Sequence, residues 1–151
     1  GIIRTIGFFH TKAANVIKCA QMVVADYGGE IPRDIDELQK LPGVGRKTAN
    51  VVLNEAFGIV EGIAVDTHVF RVSDRLGLTT GAKTPLQTEH QLTAHIPPEL
   101  LPIAHHWLIL HGRYVCQART PKCETCGLQL MCKYYCEKYK VSKDTPKRKN
   151  K

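Results

Sequence analysis

The chain has 151 residues, 43% of them hydrophobic, and a formal net charge of +7, which suffices for one or two domains with a real core. No apolar run approaches the roughly 20 residues of a membrane-spanning helix, and nothing at the N-terminus reads as a signal peptide. The charge is uneven: Lys133 to Lys151 hold eight Lys/Arg against two Asp/Glu, and the preceding residues hold thirteen against twelve, so the basic balance says little about what the folded body binds.

Gly1 falls inside sequence with helical character, as the start of a fragment would, and a turn follows at Ile6-Gly7-Phe8-Phe9. A long amphipathic helix is predicted from about Thr11 to Tyr27, with Ala13, Val16, Ile17, Ala20, Val23 and Val24 at helical spacing and Gly28-Gly29 as its stop. After Pro32, Asp34 and Glu37 have the spacing of a capping box for a helix to about Leu41. Another helix is predicted over Lys47 to Phe57, stopped by Gly58. Asp66 caps a helix to Leu76 that ends at Gly77. Thr84-Pro85-Leu86-Gln87 combines a cap, a first-turn proline and a reciprocal Gln, and that helix stops at Pro97-Pro98. The last long helix spans about Pro102 to Arg113. No segment alternates with period two, and Ile59 to Val65 is short and interrupted by glycine. The fold class is all-α with a cysteine-rich loop at its end. Residues 143–151, with Thr145-Pro146 and basic residues after it, read as a solvated disordered tail.

Three constellations carry chemistry. In Leu41-Pro42-Gly43-Val44-Gly45-Arg46-Lys47-Thr48-Ala49 the glycines permit positive φ and leave backbone N–H groups open to an anion. Lys47 then falls in the first turn of a helix, where the partial positive charge disfavours an ammonium and favours the free amine of a nucleophile. The bland reading is a solvated lysine or a plain phosphate contact. Asp66 is an N-cap by spacing, and a capping carboxylate is held ionised as well as rigid, so cap and catalytic group are equally open. Cys116, Cys123, Cys126 and Cys132 crowd into 17 residues with one close C-x2-C pair, which favours a reduced compartment and a metal site over disulfides. Zinc and iron–sulfur both remain open on spacing alone. Cys19 and Cys136 read as spare thiols, and His68, His105, His106 and His111 as packing or hydrogen-bonding residues.

These residues resemble the endonuclease III family of DNA glycosylases: the Gly43-Val44-Gly45 hairpin with Lys47, the Val65-Asp66-Thr67-His68 segment, and the C-x6-C-x2-C-x5-C cysteines, in that order, with the likeness running from about Ile3 to Cys132. The resemblance implies a helix-hairpin-helix at about residues 34–57 within a partial helical barrel over 1–97 and a cluster-domain portion over 98–136, leaving a basic, disordered tail over 137–151. It makes Lys47 and Asp66 catalytic and assigns a [4Fe–4S] cluster to Cys116, Cys123, Cys126 and Cys132. It points Gly43, Val44, Gly45, Arg46, Arg119 and Lys122 at the DNA backbone.

The implied activity is a bifunctional glycosylase and AP lyase that removes oxidised pyrimidines from damaged double-stranded DNA, as a cytoplasmic, nucleoid-associated monomer in a bacterium, with no membrane partner. Adenine glycosylases of the mismatch-repair type share hairpin, aspartate and cluster but lack the lysine. Family members have further helices ahead of the point where this chain begins, so an incomplete barrel is expected. The competing readings are a truncated, non-catalytic DNA-binding remnant and a metal-stabilised interaction module without a DNA role.

Overall fold

A computed structural model of the chain describes residues 5–140. The expected disordered tail after residue 140 and the helical character of the first residues lie outside that range. The chain divides into two compact units, residues 1–64 and 65–151.

The first unit holds α1 (Phe9–Asp26), α2 (Ile35–Lys40) and α3 (Arg46–Phe57). Ile35, Leu38, Leu41, Ala49 and Leu53 form its buried centre, against which Cys19, Met22, Val23, Tyr27 and Phe57 pack. The long helix α1 starts at Phe9, two residues before the expected start. None of its residues is buried, and Val16, Ile17 and Val24 of its apolar stripe stay exposed. Its glycine stop is as expected: Gly29 N–H donates to Val23 O at 2.9 Å with Gly28 and Gly29 both at positive φ. Asp34 caps α2 through Asp36 N and Glu37 N, both at 2.9 Å. The reciprocal half of that capping box does not form. Glu37 instead accepts from Tyr27 Oη and Lys40 Nζ, because α1 brings a phenol within reach of it.

The second unit holds α4 (Thr67–Leu76), α5 (Pro85–His95), α6 (Leu101–Tyr114) and α7 (Lys133–Tyr139), with short 3-10 turns at Pro98–Leu100, Cys123–Thr125 and Gln129–Met131. Helix α4 packs chiefly on α6. Gly112 permits that approach: a Cβ there would stand 2.9 Å from His68 Cβ and 3.1 Å from Val72 Cγ2. On α6 the buried residues are Leu101, Ala104, Leu108 and Gly112, while Trp107 and Leu110 are exposed. Thr84 caps α5 as expected, but Gln87 turns back to Lys83 N at 2.7 Å, one residue ahead of the cap. Helix α7 was not expected from the sequence. It runs past residue 136, carries Cys136 on its buried side, and packs against α4. Among the described residues there is no strand, and no helix is long and apolar enough to cross a membrane.

Candidate functional site

The hairpin before α3 is built from consecutive local signals. Val44 N–H closes a turn on Leu41 O at 3.0 Å, and Gly43 takes φ +82°, a conformation that costs an L-residue about 1–2 kcal/mol. A Cβ on Gly43 would also stand 3.0 Å from the Asn15 side chain. Gly45 is different: its φ is −95° and a Cβ would meet nothing within 4 Å. The positive φ expected at the two glycines is therefore confined to Gly43, and what glycine supplies at position 45 is an open approach. The Val44 amide is spent on the turn, whereas no backbone carbonyl among the described residues takes the Gly43 or Gly45 N–H.

Gly45 is also the N-cap of α3 and offers no side-chain acceptor. The caps of α2, α4 and α5 are Asp34, Asp66 and Thr84, each accepting from first-turn amides. Helix α3 thus presents uncapped N–H groups and the positive end of its dipole together, an arrangement suited to a phosphate. Lys47, second residue of α3, is exposed and makes no hydrogen bond or ion pair with a described residue. Arg46 precedes it, half-buried.

Asp66 occupies the N-cap of α4. Its Oδ1 accepts from His68 N and Val69 N, both at 2.8 Å. Its Oδ2 has no partner among the described residues, and the half-buried side chain lines an open cleft with Val65, Thr67, Phe70, Lys83 and Pro85. One oxygen holds the helix and the other is presented. Cap and chemical group are compatible in one carboxylate, which spacing alone left open.

Cys116, Cys123, Cys126 and Cys132 line a single cavity, completed by side chains that include His111, Lys122, Tyr134 and Tyr135. None of the six cysteines forms a disulfide, and Cys116, Cys132 and Cys136 are buried. Leu128 N–H donates to Cys126 Sγ and Arg75 Nη1 to Cys116 Sγ, each at 3.5 Å. Burial pushes the Cys132 thiol above its ordinary value, so a cationic centre would be needed to hold it as thiolate. Among the described residues no three His, Cys, Asp or Glu groups converge on one metal-sized point. A zinc ion would require its sulfurs at about 2.3 Å from a common centre. Four cysteines lining one cavity supply the Cys₄ donor set that a cubane cluster uses.

Two residues essential to this cavity's architecture carry no signal in the sequence. Arg71 donates to Gly112 O at 2.9 Å and to Cys116 O at 3.1 Å, and Arg75 donates to Gln117 O at 2.8 Å and Ala118 O at 2.9 Å. Both come from α4 and tie down the loop that begins the cysteine set, while Arg75 also lies over the Tyr134 ring. Arginines one turn apart on a helix look like a solvated face until the tertiary partners are known. Arg119 and Lys122 are exposed on the same loop. The histidines behave as packing and hydrogen-bonding groups. His68 lies under Gly112 and against Arg71, His105 and His106 meet edge to face, and burial holds His111 below its ordinary value beside Cys126. Cys136 lies outside the cavity lining, and Cys19 packs on the first unit's core.

The family model described as HhH-GPD superfamily base excision DNA repair protein matches residues 1–98. Endonuclease III of Rickettsia conorii is 51% identical over 133 residues, covering 88% of this chain and 62% of that protein. Endonuclease III of Escherichia coli strain K12 is 50% identical over 132 residues, with 87% and 62% covered. Among solved structures, a trapped endonuclease III–DNA covalent intermediate superposes with a TM-score of 0.83 at 50% identity, covering 91% of this chain and 64% of that one. A thermostable thymine-DNA glycosylase superposes with a TM-score of 0.78 at 29% identity, covering 89% and 63%. The chain spans about three fifths of the length of the relatives it matches.

Proposed function

Because this chain belongs to the HhH-GPD superfamily of base excision DNA repair proteins, we propose that it serves as a DNA glycosylase with AP lyase activity on damaged duplex DNA, as a monomer. The observation that supports this most is Lys47: an exposed, unpartnered amine in the first turn of a helix whose N-terminus is left uncapped behind a glycine turn. The Gly43 and Gly45 amides and the first-turn amides of α3 hold a phosphate without reading sequence. Arg46, Arg119 and Lys122 add charge along the backbone. The target nucleotide leaves the stack, since C1′ is inaccessible within the duplex.

Lys47 Nζ then forms a bond to C1′ as the bond from C1′ to the base breaks, and the base departs with the electron pair. The free oxygen of Asp66 stabilises positive charge on the sugar and accepts the proton that the lysine nitrogen sheds. Opening of the sugar ring converts the adduct to an imine. Loss of a C2′ proton then expels the 3′ phosphate by β-elimination and cuts the strand. Oxidised pyrimidines are the substrates this reading assigns. Cys116, Cys123, Cys126 and Cys132 would hold a [4Fe–4S] cluster, which supplies rigidity to the loop carrying Arg119 and Lys122.

Borohydride trapping on duplex with a natural abasic site tests the reading. The wild-type chain is expected to give a covalent protein–DNA band, and Lys47→Gln to give none while still binding the duplex. Trapping by Lys47→Gln would transfer the nucleophile to another amine. Binding by wild type with no trapped band would leave a non-catalytic DNA-binding protein.

A further inference from the structure

The cleft at the start of α4 holds a charge that the reaction above does not use. It is lined by Val65, Asp66, Thr67 and Phe70 from the start of α4 and by Lys83 and Pro85 from the start of α5. Asp66 presents its free oxygen there, and Lys83 is exposed with no ion pair to Asp66 or to any other described residue. The Lys83 backbone is anchored, since its N–H donates to Gln87 Oε1 at 2.7 Å, so the side chain departs from a fixed point beside α5. A carboxylate and an ammonium that share a cleft without pairing leave a gap with opposite electrostatic demands at its two ends. Phe70, Val65 and Pro85 add apolar surface to the same lining.

The ligand class that meets those demands carries an anion at one end and an electron-poor carbon a few bonds away. A deoxyribose with its phosphodiester is such a group. Resting on the glycosylase reading above, we propose that Lys83 is a further substrate-binding residue, gripping a phosphodiester of the nucleotide whose sugar lies against Asp66.

The test uses the full chain as wild type, Lys83→Gln and Lys83→Arg. Each is titrated with a duplex carrying a tetrahydrofuran abasic-site analogue over a series of salt concentrations. Loss of one phosphate contact should lower the slope of log K against log salt by about 0.9 in Lys83→Gln, and Lys83→Arg should restore it. A second pair of duplexes replaces the phosphate on the 5′ or the 3′ side of the analogue with an uncharged methylphosphonate. On one of them wild type and Lys83→Gln should bind equally, because the partner of Lys83 has already been neutralised. Melting temperatures of the variants should match wild type, as the side chain is exposed. An unchanged slope in Lys83→Gln, or equal methylphosphonate penalties in both proteins, overturns the assignment. If the wild-type chain traps on a natural abasic site in the same preparations, that failure concerns Lys83 alone. If wild type neither traps nor prefers the analogue, the glycosylase reading falls and the Lys83 assignment with it.

Discussion

Around Gly43 to Lys47, the backbone bonds that shape the turn join residues three or four positions apart, as in Val44 N to Leu41 O and Ala49 N to Gly45 O. The cysteine cavity is held differently. Its loop is fixed by Arg71 and Arg75, whose guanidinium groups reach acceptors 41 to 45 residues away. The Asp66 cap belongs with the hairpin, since both of its bonds go to amides two and three residues on. Sites at helix starts are thus assembled by the chain's own local rules, and they survive as long as their helix does. A loop with little regular structure has unpaired carbonyls, and it needs donors from elsewhere to keep four thiols around one cavity.

Asp66→Asn should sharpen that contrast most. The amide oxygen can still accept from His68 N and Val69 N, so the melting temperature should stay near wild type. Base excision should fall by about 10²–10⁴ for the lost acid–base group, measured as single-turnover kinetics on a lesion-bearing duplex. Full activity in Asp66→Asn would reduce the residue to a cap.

On the cavity side, Arg75→Gln leaves Gln117 O and Ala118 O without their donor. Stability should drop by about 1–3 kcal/mol in denaturant melts, and iron and acid-labile sulfide per chain should fall in the purified protein. Unchanged metal content with unchanged stability would mean the loop shapes itself. Stoichiometric zinc without sulfide in the wild type would overturn the cluster assignment itself.

The glycines offer a comparison within the hairpin. Gly43→Ala should cost about 1–2 kcal/mol in thermal or denaturant unfolding, with the clash against Asn15 added. Gly45→Ala should leave unfolding nearly unchanged, since its φ suits any residue and its surroundings are open. It should nonetheless weaken duplex binding if the proposed phosphate contact is made there, because the added methyl group would stand against the approaching phosphate. Equal destabilisation by both would mean the turn is strained as a whole.

The smallest effect concerns Glu37. Hydrogen bonds from Lys40 and then Tyr27 hold its carboxyl below the ordinary value of 4.5. A folded-state value below the unfolded one gives stabilisation that is complete above 4.5 and is lost as pH falls through the folded value. The group is exposed, so the effect is slight. The melting-temperature gap between wild type and Glu37→Gln should be present at pH 7 and close on acidification below 4.5. A gap that persists in acid would assign the difference to packing.

The amino-acid sequence determined the helix starts and stops: Asp34, Asp66 and Thr84 as caps, Gly58 and Gly77 as αL stops, and Lys47 in a first turn. Each depends on side-chain and backbone groups within about four residues, which is why they are legible without a fold. Tertiary structure decided where Glu37 points, because Tyr27 reaches it from the C-terminal end of α1. It also decided that α7 forms and packs on α4, that Gly112 is a contact point under His68, and that Lys83 shares a cleft with Asp66. Above all it placed Arg71 and Arg75 at the cysteine loop. Charged residues at helical spacing carry no record of which distant carbonyls they will satisfy, and only packing of α4 against α6 supplies those partners.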